Sequence, residues 1–193
     1  MPDLTPEALP AGTFTALPQP TLSGADGLLL RPWRAGDAPA VHRIFRDPLL
    51  HRWHLRACAD EAEAGRWVEE WRTHWTAGTG AHFAVVGAES GRLLGRVALR
   101  GLVLADGAAE VAYWTAAEAR GRRVAVRATD ALARWALDTI GFQRLELLHS
   151  VANEASCRVA DRTRFALEGT KRAAGLHQDG WHDMHLHARV RGD

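Results

Sequence analysis

Glu110 to Trp135 reads E-V-A-Y-W-T-A-A-E-A-R-G-R-R-V-A-V-R-A-T-D-A-L-A-R-W, and this stretch decides the fold. Its opening residues read as a buried strand. Val124, Ala128, Ala131 and Trp135 recur at helical spacing, which gives the second half an apolar face to dock on a sheet. Between them lies an Arg/Gly loop. A strand that delivers the chain into a helix N-terminus leaves several backbone N–H groups unpaired. With the helix dipole and neighbouring guanidinium groups, these suit a pyrophosphate. Many strand-loop-helix units bind nothing, so the loop alone leaves both readings open.

Further along, His149 to Thr170 reads H-S-V-A-N-E-A-S-C-R-V-A-D-R-T-R-F-A-L-E-G-T. Here Asn153 can cap a second helix that carries Ser156 one turn in. The two segments together resemble the GNAT superfamily of acyl-CoA-dependent N-acyltransferases. In that superfamily the pyrophosphate loop runs Q/R-x-x-G-x-G/A, and Arg120, Gly121, Arg122, Arg123, Val124 and Ala125 stand at the matching positions. Arg120 and Ala125 fit the ends of the pattern. Its central glycine, which lets backbone approach phosphate with no side chain in the way, is Arg123 here. Arg123 either crowds the phosphate or swings outward and adds a bidentate contact to it.

Within the superfamily the chain is most similar to the RimJ/RimL type, the ribosomal-protein-alanine N-acetyltransferases and their relatives acting on small amines. L-L-L-R-P-W-R-A-G-D-A from Leu28, D-P-L-L-H-R-W from Asp47, N-E-A-S from Asn153, L-E-G-T from Leu167 and G-W-H-D-M-H-L-H-A-R from Gly180 carry the resemblance in order. It implies an α/β (α+β) GNAT fold, a mixed, twisted central sheet flanked by helices, in which two strands splay apart at the acyl-CoA site. The pantetheine arm of acetyl-CoA then lies in that gap against backbone past Glu110. Tyr113, Trp114 and Thr115, the loop from Arg120 to Ala125, Asn153 and Ser156 are thereby implied as cofactor contacts. The implied reaction is direct acetyl transfer to a primary amine, a protein N-terminus or a small-molecule amine, with no metal.

Such a transfer needs an amine made neutral, a carbonyl held for attack and a leaving thiolate that is stabilised or protonated. Glu110, at the start of the central strand, is the first candidate base, because partial burial there could raise its pKa. A structural strand-end carboxylate is the alternative. Some RimL-like enzymes carry a glutamate after the E-G-x-x-K/R segment, but K-R-A-A-G-L-H-Q-D-G from Lys171 has none, and His177 and Asp179 are its nearest substitutes. The resemblance points to Ser156 for the leaving sulfur. Tyr113, the only tyrosine, faces either core or cleft.

For the acceptor, Trp53 lies in an irregular basic segment with His51 and His54, where the superfamily builds its acceptor pocket; His177 and His185 are further polar candidates. Asp183, His185 and His187 alternate onto one strand face and invite a zinc reading. Crowding on a single strand and the want of an evident fourth ligand argue against it. Cys157, beside Ser156, reads as a small buried residue rather than a nucleophile, because no base is evidently paired with it. Arg164 replaces a glycine before Phe165 at a helix C-terminal turn.

Composition sets the outer bounds. With 193 residues, 47% of them hydrophobic, the chain can bury one sizeable core. Residues 25–193 are read as one domain and residues 1–24, rich in Pro, Ala and Thr, as a loose arm. The formal net charge is +1 and Lys171 is the only lysine, which argues against nucleic-acid or anionic-membrane partners. No apolar run approaches a bilayer span and no signal-peptide pattern opens the chain, so the expected location is cytoplasmic. Two cysteines form no metal spacing. Two rival classes remain: a non-catalytic ligand sensor with Arg123 altering the pyrophosphate site, and an interaction module for which the final strands offer a homodimer contact.

Predicted elements are strands at 27–33, 81–87, 92–104, 110–115, 145–151, 165–170 and 181–189. Helices are predicted at 38–45, 60–75, 124–135 and 153–162. In the second of these helices Ala64, Trp67, Val68, Trp71 and Trp75 make one apolar stripe.

Overall fold

The computed structural model describes residues 6–54 and 56–193. Eight strands form one sheet: β1 (Leu22–Gly24), β2 (Leu28–Pro32), β3 (Ala81–Gly87), β4 (Leu93–Val103), β5 (Ala108–Thr115), β6 (Arg144–Ser150), β7 (Ala166–His177) and β8 (Gly180–Val190). Their order is β1-β2-β3-β4-β5-β6-β8-β7, antiparallel except where β5 meets β6. The helices are α1 (Ala38–Ile44), α2 (Pro48–His51), α3 (Glu61–Thr76), α4 (Val124–Arg134) and α5 (Glu154–Arg162), and a π-helical turn follows α4 at Trp135–Ile140.

The apolar stripes explain the layering. Ala64, Trp67, Val68, Trp71 and Trp75 of α3 are all buried, as are Val124, Ala128, Ala131 and Trp135 along α4 and its extension. Successive residues of β3 point to opposite faces. His82 stacks on His74 of α3, with centroids 4.5 Å apart, and Phe83 meets Trp135 edge-on at 5.7 Å. The two helices therefore cover opposite faces of the sheet. Asp60 caps α3 by accepting from the Glu63 N–H at 2.7 Å.

The parallel pairing of β5 with β6 sets up the site. It holds only at Ala108–Arg144, Ala109–Leu145 and Glu110–Glu146. Beyond Glu110 the strands part, so backbone groups of β5 from Val111 onward face a gap instead of a neighbouring strand.

Three expectations need correction. Residues 6–24 are no loose arm: Phe14 is fully buried against Trp75, Phe142 and Trp135, with Trp75 at 5.2 Å. Ala8 and Leu9 donate backbone hydrogen bonds to Ala105 and Leu104, and the Trp75 indole donates to the Leu17 carbonyl at 2.8 Å. The strand expected at 165–170 runs on to His177 as an exposed edge paired with β8. A short strand, β1, also precedes the first one predicted.

Candidate active site

A cavity of about 490 Å³ opens where β5 and β6 separate, between the N-termini of α4 and α5. Apart from Arg122, all the residues implied as cofactor contacts line it: Tyr113, Trp114 and Thr115 from β5, Arg120, Gly121, Arg123, Val124 and Ala125 from the loop, and Asn153 and Ser156 from α5. Among the described residues no acceptor meets the backbone N–H groups of residues 121–126. This is the unpaired cluster that a helix N-terminus offers an anion. Asn153 caps α5 by accepting from the Ser156 N–H at 3.2 Å.

The loop is braced by side chains whose roles the sequence did not reveal. Arg120 is ion-paired with Asp47, the N-cap of α2, so its guanidinium ties loop to helix. Arg127 donates to the Arg122 carbonyl at 3.1 Å and to the Ala25 carbonyl at 3.1 Å. Arg123 caps α4 in the left-handed conformation, φ +56°, with its side chain exposed. This is the backbone shape a glycine would adopt freely. A left-handed arginine costs about 1–2 kcal/mol, and glycine returns roughly 0.5–1 kcal/mol of that as unfolded-chain entropy. Arg123→Gly is therefore expected to stabilise the fold by up to about 1 kcal/mol in urea denaturation. Loss of the guanidinium should weaken coenzyme A binding by no more than about 10-fold in calorimetry. A variant that binds far more tightly would mean that Arg123 obstructs the loop.

A larger cavity of about 760 Å³ lies on the α3 face of the sheet and shares Trp53, His54, Tyr113, Trp114, Asn153 and Ser156 with the first. The two spaces meet at Tyr113 and Ser156. Burial pushes the Tyr113 hydroxyl up to about 12, against a smaller opposing influence from Ser156. It lies buried without a hydrogen-bond partner among the described residues and carries its proton at neutral pH. Tyr113 thus faces the cleft.

Glu110 lines the larger cavity and is ion-paired with Arg100, directly opposite on β4. Trp53 lines both cavities, and His177 lines the larger one with its ring against Trp53 at 5.8 Å. His51 and His185 line neither. His51 Nε2 lies 2.6 Å from the Phe45 carbonyl, and His185 Nδ1 lies 3.5 Å from Cys157 Sγ. Asp179 accepts from His182 at the tip of the β7–β8 hairpin, outside both cavities.

Three further cavity groups matter, of which the sequence pointed only to His54, as a neighbour of Trp53, and not to His82 or Arg96. His54 lines both spaces; burial foremost, then Arg96, lowers its pKa to about 4, so the ring is neutral at pH 7. Burial and Arg96 hold His82 near 2. Arg96 itself is drawn down to about 9, by burial first and then by Arg100, and stays charged. Its Nη2 donates to His82 Nδ1 at 2.8 Å and its guanidinium lies 4.9 Å over the Trp71 ring. Its Nε has no hydrogen-bond partner among the described residues, and the cavity carboxylates Glu110 and Glu70 are paired with Arg100 and Arg56.

An open mixed sheet, a parted strand pair and a loop of unpaired N–H groups at a helix N-terminus make up a scaffold of the GNAT type. Residues 27–166 match the acetyltransferase (GNAT) domain, and the chain belongs to that family. YdaF of Bacillus subtilis (strain 168), provisionally named a ribosomal N-acetyltransferase, is 29% identical over 115 residues, which are 60% of this chain. The chain spans 61% of that relative's own length. Among solved structures, RimL, a ribosomal L7/L12 alpha-N-protein acetyltransferase in complex with coenzyme A, superposes with a TM-score of 0.81 at 20% identity. That match covers 89% of this chain and 98% of RimL. The microcin C7 self-immunity acetyltransferase MccE, in complex with acetyl-CoA and AMP, superposes at 0.80 with 16% identity over 86% of this chain and 93% of its own. No described helix is long and apolar enough to cross a membrane.

Proposed function

We propose that this chain transfers an acetyl group from acetyl-CoA directly to a primary amine, and that the acceptor carries an anionic group near that amine. The meeting of the two cavities at Tyr113 and Ser156 carries this reading. The loop N–H groups suit the pyrophosphate, and the unpaired edge of β5 suits the amide groups of the pantetheine arm. Tyr113 donates its proton to the leaving sulfur, with Ser156 and the N-terminus of α5 favouring negative charge beside it. Glu110, through water, and the neutral ring of His54 are the groups able to take the amine's proton.

Arg96 supports the acceptor's anion. A guanidinium held at a cavity wall beside a neutral histidine, with no carboxylate of its own, favours a carboxylate or phosphate brought by the ligand. A protein N-terminus next to an acidic residue and a small amino-acid derivative both present that pair. The names of the relatives favour the first. The alternative of a non-catalytic sensor rests on Arg123, whose exposed side chain leaves the loop N–H groups accessible.

Thiol release from acetyl-CoA, measured over acidic and amide-matched peptides and over small amines with and without a carboxylate, tests both parts. Acid-bearing acceptors are expected to be preferred by about 10- to 100-fold in kcat/KM. Arg96→Met should erase the preference through the acceptor KM, leave the acetyl-CoA KM unchanged, and be partly rescued by Arg96→Lys. No thiol release with any amine would end the transferase reading; turnover indifferent to acid groups would end the anion reading alone.

A further inference from the structure

Where α5 docks on β6 and β8, three histidines and a cysteine converge. His149 comes from β6, Cys157 from α5, and His185 and His187 from β8. One donor atom from each lies within 4.8 Å of all the others. His149 Nε2 and His187 Nε2 are 3.2 Å apart, and Cys157 Sγ is 3.5 Å from His185 Nδ1. Zinc–nitrogen and zinc–sulfur bonds in a tetrahedron set edges of about 3.3 Å between nitrogens and about 3.6 Å between nitrogen and sulfur. Two opposite edges are already close to those values, and the remaining pairs, all within 4.8 Å, need contract by at most about 1.5 Å.

The proton positions agree. His149 Nδ1 is 2.8 Å from the Ser150 carbonyl and His187 Nδ1 is 3.2 Å from the Phe165 carbonyl. A carbonyl oxygen only accepts, so each ring donates from Nδ1 and turns its Nε2 toward the other. A backbone carbonyl on the far nitrogen is also the usual way a metal-binding histidine is oriented.

We propose that His149, Cys157, His185 and His187 form a four-ligand tetrahedral site for a zinc ion. Four protein ligands leave no open position, so the site is structural and takes no part in acetyl transfer. It fastens α5, which carries Asn153 and Ser156, to strands β6 and β8. Binding converts the Cys157 thiol to a thiolate and releases its proton to solvent. The sequence reading set zinc aside for want of a fourth ligand beside Asp183, His185 and His187, and Asp183 is not one of the cluster: it accepts from the Ala173 N–H at 2.8 Å. Cys157 and His149 replace it, from elements that no spacing rule connects.

The test is a titration of the chelator-treated full chain with cobalt(II) as a spectroscopic probe, followed by zinc displacement. One equivalent of cobalt should give intense tetrahedral visible bands and a thiolate charge-transfer band, both abolished by zinc. Because the buried His149 and His187 could fail to fold when replaced, the variants are Cys157→Ser and His185→Ala, with metal-free melting curves as the check on folding. Each should weaken zinc binding by about 100-fold or more, and Cys157→Ser should lose the charge-transfer band. Zinc should also raise the wild-type Tm. No saturable cobalt spectrum in the wild type, or an unchanged spectrum in both variants, would overturn the proposal.

Discussion

Tyr113→Phe is expected to lower kcat by about 100-fold or more while leaving the KM for acetyl-CoA within a few-fold of wild type. Removing a general acid from a leaving group typically costs 10²–10⁴ in rate. The lower end is favoured here because Ser156 and the N-terminus of α5 remain to stabilise a thiolate. The phenyl ring preserves the wall of both cavities, so ground-state binding should change little. Stability separates this chemical role from a packing role. The Tyr113 hydroxyl is buried with no hydrogen-bond partner among the described residues, so deleting it removes an unsatisfied polar group. Tm should hold steady or rise as turnover falls. Ser156→Ala, measured alongside, should cost less, roughly 10-fold. A Tyr113→Phe enzyme with undiminished single-turnover transfer would pass the acid role to Ser156 or water.

The arrangement behind this expectation was partly legible in the sequence. Helical spacing identified the buried stripes of α3 and α4 residue by residue, because each helix docks one face on a continuous apolar sheet. The order of short motifs carried the parted strands and the loop. Tyr113 illustrates the limit. Alternation along β5 says that it faces away from Trp114, but whether that direction is core or cleft depends on where β6 stops pairing, and no local pattern encodes it. Arg96 and His82 are similar: their partnership joins neighbouring strands and matters only because α3 roofs it. His185 and His187 were visible as a pair, while His149 and Cys157 join them only through the pairing of β6 with β8 and the docking of α5. Composition misled most at the N-terminus, where proline and threonine masked the buried Leu9 and, above all, the apolar anchor Phe14.

That anchor gives the second large effect: Phe14→Ala is expected to destabilise the protein by about 3–5 kcal/mol in urea denaturation. The ring is fully buried and touches Trp75, Trp135 and Phe142, so truncation loses its transfer free energy and opens a cavity between aromatic rings that cannot collapse easily. Leu17→Ala, at a side chain that is 68% exposed, should cost under about 0.5 kcal/mol and serves as the control. A Phe14→Ala cost below about 1 kcal/mol would return residues 6–24 to the status of a loose arm. The consequence extends to the site. Gln19 donates to the His82 carbonyl at 2.8 Å, and His82 in turn receives the Arg96 guanidinium. Releasing the arm should therefore slacken the wall that holds Arg96, and Phe14→Ala enzyme assayed well below its Tm should show a raised acceptor KM with the acetyl-CoA KM unchanged.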